Sequence, residues 1–149
     1  MPAIMGKMNR VTRCAGIYRT ERLQNPELTA RHHSMVLAIT STPGMSQDQI
    51  ARRLCLNKST VARTLTQLET NGYVTRKICE TDKRITLVYP TEKMLAVYPA
   101  VREITNEWNE KLAEGIPQEE MELFLSVLNR MEARAKELTG HGEQGGQTT

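Results

Sequence analysis

The sequence predicts a mainly helical protein carrying one small β-hairpin. Three observations predict it. Aromatic residues make up only 4% of the chain, so a core has to be built from Leu, Ile, Val, Met and Ala. Apolar residues recur at helical spacing over most of the length. Between residues 73 and 90 alone, the period drops to two. At 149 residues the length suits one domain. A chain of that size buries roughly 68–70% of its unfolded surface and needs no staples.

The elements follow in order. Ile4, Met8, Val11, Ala15 and Tyr18 give a first helix over residues 3 to 23, with Lys and Arg between them. "LQNPEL" breaks it, because Pro26 disfavours helix at Asn25. Thr29 can cap a second helix running through Ile39, which "STPG" ends. "SQDQ" is a capping box, with Ser46 at the N-cap and Gln49 three residues on. Ile50, Ala51 and Leu54 form the apolar face of that short third helix.

"CLN" then leads directly into "KSTVARTLTQLETNG", residues 58 to 72. Val61, Leu65 and Leu68 are its buried stripe, and Gly72 suits the position after its end, where φ is usually positive. Two helices joined by a tight turn make a helix-turn-helix pattern. That turn usually contains Gly; here Asn57 serves as the cap. "YVTRKIC" and "ITLVYP" flank "ETDKR" and read as a hairpin, or wing, with Asp82, Lys83 and Arg84 at its tip. Thr91 caps a long helix whose face is Leu95, Tyr98, Val101, Ile104, Trp108 and Leu112, kinked or split by Pro99. Pro117 restarts a last helix with Met121, Phe124, Leu125, Leu128, Met131 and Leu138 as its stripe. From Gly140 the chain has nothing to bury, and residues 140–149 read as a disordered tail.

Charge is unevenly placed. Residues 46–90 hold eight basic against four acidic side chains, and residues 91–149 hold six against eleven. A basic middle beside an acidic end suggests a localised anion-binding surface. The far side of the fourth helix carries Ser59, Thr60, Arg63 and Gln67, which suit phosphates and base edges. Ser59 and Thr60 lie near a helix N-terminus, where backbone N–H groups favour phosphate. Arg can bond guanine bidentately and Gln adenine. Arg84 at a wing tip suits a narrow minor groove, with Asp82 able to hold it in one pose. Lys58, Thr64, Arg76 and Lys83 complete the expected DNA-binding set.

The motifs carry a resemblance. Over residues 44 to 93 the chain shows "S-x-x-x-[IL]-A-x-x-[LI]" at 46–54, "K-S-T-V-x-R" at 58–63, "L-E-x-x-G-[YL]-[VI]-x-R" at 68–76 and "D-x-R" at 82–84. This resembles the MarR family of bacterial transcription regulators. The usual "L-T-x-x-G" after the wing is altered, with Pro90 for Leu and Met94 for Gly. The resemblance implies a winged helix-turn-helix region over 41–90 and a dimerisation region from the terminal helices, 1–40 and 91–139. It implies a homodimer on a pseudo-palindromic double-stranded DNA operator. The helix after the turn would enter the major groove, and the wing Arg the minor groove. It also implies repression relieved by a small aromatic or phenolic effector.

Other functions were weighed on the same residues. Cys14, with Tyr18 one turn later, is a redox candidate, because some oxidant-sensing relatives use a first-helix cysteine; a reactive thiol needs access and a lowered pKa. Cys55 and Cys79 read as packing residues. Three cysteines without CxxC indicate neither a disulfide framework nor a zinc site. His32 and His33 are adjacent and point about 100° apart, a poor chelating pair. No cofactor or metal is expected. No nucleophile–base pair, Gly-rich phosphate loop or carboxylate cluster suggests an enzyme. A protein-interaction module without DNA affinity is the other class, disfavoured by the retained hydroxyls and arginines. The N-terminus lacks a signal-peptide h-region. The longest clean apolar run, Met35 to Ile39, is too short for a bilayer, so a cytoplasmic protein without membrane partners is expected.

Overall fold

A computed structural model of the chain describes residues 3–141. It divides into two compact units, residues 1–111 and 112–149. The elements are α1 (Ile4–Leu23), α2 (Ala30–Ser41), β1 (Met45–Ser46), α3 (Gln47–Leu54), α4 (Lys58–Thr70), β2 (Val74–Ile78), β3 (Thr86–Pro90), α5 (Glu92–Ala113) and α6 (Gln118–Leu138). The sheet is antiparallel in the order β1-β3-β2. In it Arg76 faces Val88 across β2–β3, and Met45 faces the same Val88 across β1–β3. The expected mainly α fold with a small β-wing is what the chain adopts. The two-residue β1 is an addition: it is too short to show a period, and pairing with β3 alone defines it.

The first unit's core sits where α2, α3, α4 and the sheet meet. Val36, Ile39, Ile50, Val61, Leu65 and Leu68 are each fully buried. The stripe of α4 is therefore the one expected. Its end is closed by Gly72 at φ 80°. There the Tyr73 N–H reaches the Leu68 carbonyl (2.8 Å) and the Gly72 N–H the Glu69 carbonyl (3.0 Å), which is a Schellman motif. The Ser46–Gln49 capping box forms in both directions, at 2.8 and 3.1 Å. Thr91 starts α5: its hydroxyl donates to the Gly72 carbonyl (2.6 Å) and accepts the Met94 N–H (3.4 Å).

Four expectations need correction. Asn57 stands at the N-cap of α4, but its side chain makes no capping bond. The helix-turn-helix turn is made instead by Cys55, at φ 51°, where glycine is usual. Pro99 does not split α5, which runs unbroken through it. The carbonyl that loses its partner belongs to Leu95, on the exposed side of the helix. Leu95 and Leu112 are exposed, and Met94 takes the buried position beside Val101 and Ile104.

The second unit contains α6. None of its residues is buried within the chain. Of the stripe read from the sequence, Phe124, Leu125 and Leu138 are exposed and Met121, Leu128 and Met131 are half-buried; Leu123 beside it is also exposed. Gly140 and His141 close α6; the rest of the expected tail lies outside the described residues. Among the described residues no helix is long and apolar enough to cross a membrane.

Candidate nucleic-acid interface

With Val61, Leu65 and Leu68 inward, α4 must turn its other face outward. Ser59, Arg63 and Gln67 are exposed and Thr60 is partly so. The Arg63 side chain makes no hydrogen bond or ion pair to any described residue, so its five donors are unspent. Lys58 opens the helix and pairs with Asp48 of α3 at 3.1 Å, both side chains well exposed. A pair so exposed adds little to stability and can yield to a phosphate.

Thr64 does not belong to this face. It is 4% exposed, and its hydroxyl donates to the Thr60 carbonyl at 2.9 Å. It lies three residues after Val61 and four before Leu68, at the edge of the buried stripe. Gln67 stands near the end of the exposed face and lies against His32 of α2. Burial lowers the His32 pKa, and Gln67 partly offsets that.

The wing tip is built by one acid. Asp82 Oδ1 accepts the Arg84 backbone N–H (3.0 Å) and its Nε (3.1 Å), and Oδ2 accepts Nη2 (3.0 Å). The Asp82 carboxyl is held below its usual range by Arg84, whose own pKa is raised in return. The Arg84 side chain is 90% exposed, so its guanidinium is oriented yet open to a ligand. Lys83 beside it is exposed. Arg76 is placed differently. Its side chain, 25% exposed, forks onto Glu69 of α4.

The cysteines also differ from their reading. Cys55 and Cys14 are exposed and Cys79 is partly so; neither Cys55 nor Cys79 is a core packing residue. A hydrogen bond with the Thr81 hydroxyl (3.2 Å) lowers the Cys79 thiol pKa, helped by the backbone at Asp82 and Thr81. The Tyr18 hydroxyl accepts from Arg22 (3.2 Å) and Lys111 (3.4 Å), and no bond joins it to Cys14. His33 is 1% exposed, with neither ring nitrogen hydrogen-bonded. No three His, Cys, Asp or Glu side chains gather to hold a metal among the described residues.

Sequence reasoning missed Asp48, Glu69 and Arg53 as organisers of this surface. Arg53 bonds Thr42 (2.9 Å) and Ser41 (3.1 Å), tying α3 to the end of α2. Each of these contacts joins residues distant in sequence, and periodicity carries no signal for them.

Comparison with known proteins agrees with this arrangement. Residues 28–86 match the MarR family model. The chain is 26% identical over 131 residues to an uncharacterized HTH-type transcriptional regulator, YybA of Bacillus subtilis (strain 168), covering 88% of this chain and 87% of that protein. The crystal structure of the transcriptional regulator SlyA superposes with a TM-score of 0.84 at 25% identity, over 91% of this chain and 95% of that one. A MarR family regulator from Listeria monocytogenes, solved with a 26mer DNA, gives a TM-score of 0.88 at 19% identity, over 100% and 99% of the two chains. The helix-turn-helix with its wing, and these matches, make the chain similar to winged-helix transcription regulators of the MarR family, whose model it matches over residues 28–86.

Proposed function

We propose that the chain reads double-stranded DNA in a sequence-specific way, as a homodimeric repressor of a pseudo-palindromic operator. Its similarity to MarR-family regulators supports a regulator rather than an enzyme. One observation carries the reading. A helix with three fully buried leucine and valine positions turns an unspent arginine and two hydroxyls outward, beside a wing whose Arg84 is pre-oriented. A major groove admits such a helix, and a narrow minor groove attracts such an arginine. Support for a homodimer comes from α6, which has no fully buried residue and exposes Phe124, Leu125 and Leu138 of its apolar stripe. A two-fold axis would then set two reading helices about one helical turn apart. Release by a small aromatic or phenolic effector rests on the family resemblance. A purely protein-binding module remains the alternative class, and the exposed Arg63 and Arg84 argue against it.

Titrating labelled operator with wild type and Arg84→Ala at several salt concentrations tests this, with light scattering for the assembly state. Binding that falls steeply with salt is expected, on a dimer. Arg84→Ala should leave the dimer intact and weaken binding by about tenfold or more. Unchanged affinity would remove the wing from the mechanism.

A further inference from the structure

We propose that Arg76 is a positioning residue: it clamps the wing to the DNA-reading helix and to α3, and so fixes the distance between the two DNA-contacting elements. The inference rests on the DNA-binding reading above. It departs from the expectation that Arg76 touches DNA itself.

Arg76 lies in the middle of β2, on the same side of the strand as buried Val74. Its Nε donates to Glu69 Oε2 at 3.0 Å and its Nη2 to Oε1 at 3.3 Å, a two-pronged pair. Nη2 also reaches Thr66 Oγ1, and Nη1 reaches Gln47 Oε1, both at 3.4 Å. Thr66 and Glu69 are one turn apart on α4, and Gln47 is the first residue of α3. One guanidinium thus joins three elements. The contrast with Arg84 is informative. The acid partner of Arg84 is two residues away on the same loop and links nothing else. The acid partner of Arg76 is on a different element.

Glu69 supplies the second half of the argument. A carboxylate on a helix that approaches phosphates opposes binding by simple repulsion. Here Arg76 holds that carboxyl ionised, below its usual range. Its negative charge is spent on the clamp. The Arg76 side chain, largely covered and forked onto Glu69, has little left to offer a phosphate. A part-exposed ion pair of this kind adds little to folding stability, so its effect is on geometry.

The two roles give opposite signs for one substitution. Glu69→Gln removes a negative charge from the helix proposed to read DNA. If Arg76 were a phosphate contact, freeing it would tighten operator binding, and Arg76→Gln would lower the salt slope by about one phosphate. If Arg76 is a clamp, Glu69→Gln weakens binding, on the order of fivefold to tenfold, despite the favourable charge change. The charge-swapped pair Glu69→Arg with Arg76→Glu would then recover most of the loss. Hydroxyl-radical footprints of Glu69→Gln should lose the wing's minor-groove protection and keep the central major-groove contacts. Hydrogen exchange on free protein gives a readout without DNA. Amides of β2 and β3 should exchange faster in Glu69→Gln than in wild type, with the melting temperature nearly unchanged. Tighter DNA binding by Glu69→Gln, or unchanged wing exchange, would overturn the clamp. Wild type failing to bind any duplex would instead remove the DNA reading, and wing exchange would still decide the clamp.

Discussion

Acid should destabilise this protein through its buried histidines; His32, also lowered by burial, acts in the same direction and is common to the two proteins compared below, and for His33 the size of the effect follows from its surroundings. His33 is 1% exposed and neither ring nitrogen has a partner. Burial, with Arg19 and His32 nearby, lowers its pKa from 6.5 to about 4. The unfolded chain takes up a proton near pH 6.5, while the folded chain resists until about pH 4. Below 6.5 the unfolded state binds more protons, so stability falls as pH falls, and the loss is complete once the folded pKa is passed. The shift corresponds to about 3 kcal/mol in all, of which about 2 kcal/mol is lost between pH 7 and pH 5. The perturbation is His33→Leu, which removes the titration and replaces unpaired nitrogens with apolar volume. Thermal melts followed by circular dichroism, at fixed protomer concentration and at pH 7, 6 and 5, supply the assay. The variant should gain about 4–8 °C on the parent over that range. The carboxyls with lowered pKa, Glu27, Glu69, Asp82 and Glu107, act at lower pH and are common to both proteins. Parallel pH curves for the two proteins would refute the reasoning.

Three further outcomes are expected. Arg63→Ala should weaken operator binding by about 1–3 kcal/mol and relax preference at one base pair, whereas a uniform loss across sequences would make Arg63 a phosphate contact. Thr64→Val, at the neighbouring but buried position, should leave DNA affinity unchanged; a loss comparable to that of Arg63→Ala would contradict its placement. Cys55→Gly should stabilise the fold by about 1 kcal/mol in chemical denaturation, because a left-handed backbone is costly for any other residue; destabilisation would mean the thiol contributes more than the strain removes.

The fold was legible wherever a period repeats. The stripe of α4, the Ser46–Gln49 box, the Gly72 stop and the β2–β3 hairpin all rest on residues close in sequence, and all formed as read. Errors arose where a local rule met a tertiary one. Cys55 shows that a tight turn can impose positive φ on a residue whose type does not announce it. Pro99 was read as kinking or splitting its helix; the split does not occur, because the lost hydrogen bond falls on the solvent side, where a long helix tolerates it. In the candidate site, exposed Ser59, Arg63 and Arg84 could be placed from helical phase and the position of a turn. Thr64 could not, because it sits at the edge of the stripe, where a small error in phase decides its exposure. The surroundings of Arg76 were hidden for a different reason. A basic residue in a wing reads as a DNA contact, and nothing in the local pattern shows that Glu69, seven residues away on another element, pairs with it.

Selection of bound sequences from random duplex DNA, with purified protein at moderate salt, tests the central claim most directly. The expected result is a two-fold-symmetric site whose half-site centres lie about one helical turn apart, as two related reading helices require. Recovery of no preferred sequence by a folded dimer would contradict it, and would leave the winged helix as a scaffold for binding protein.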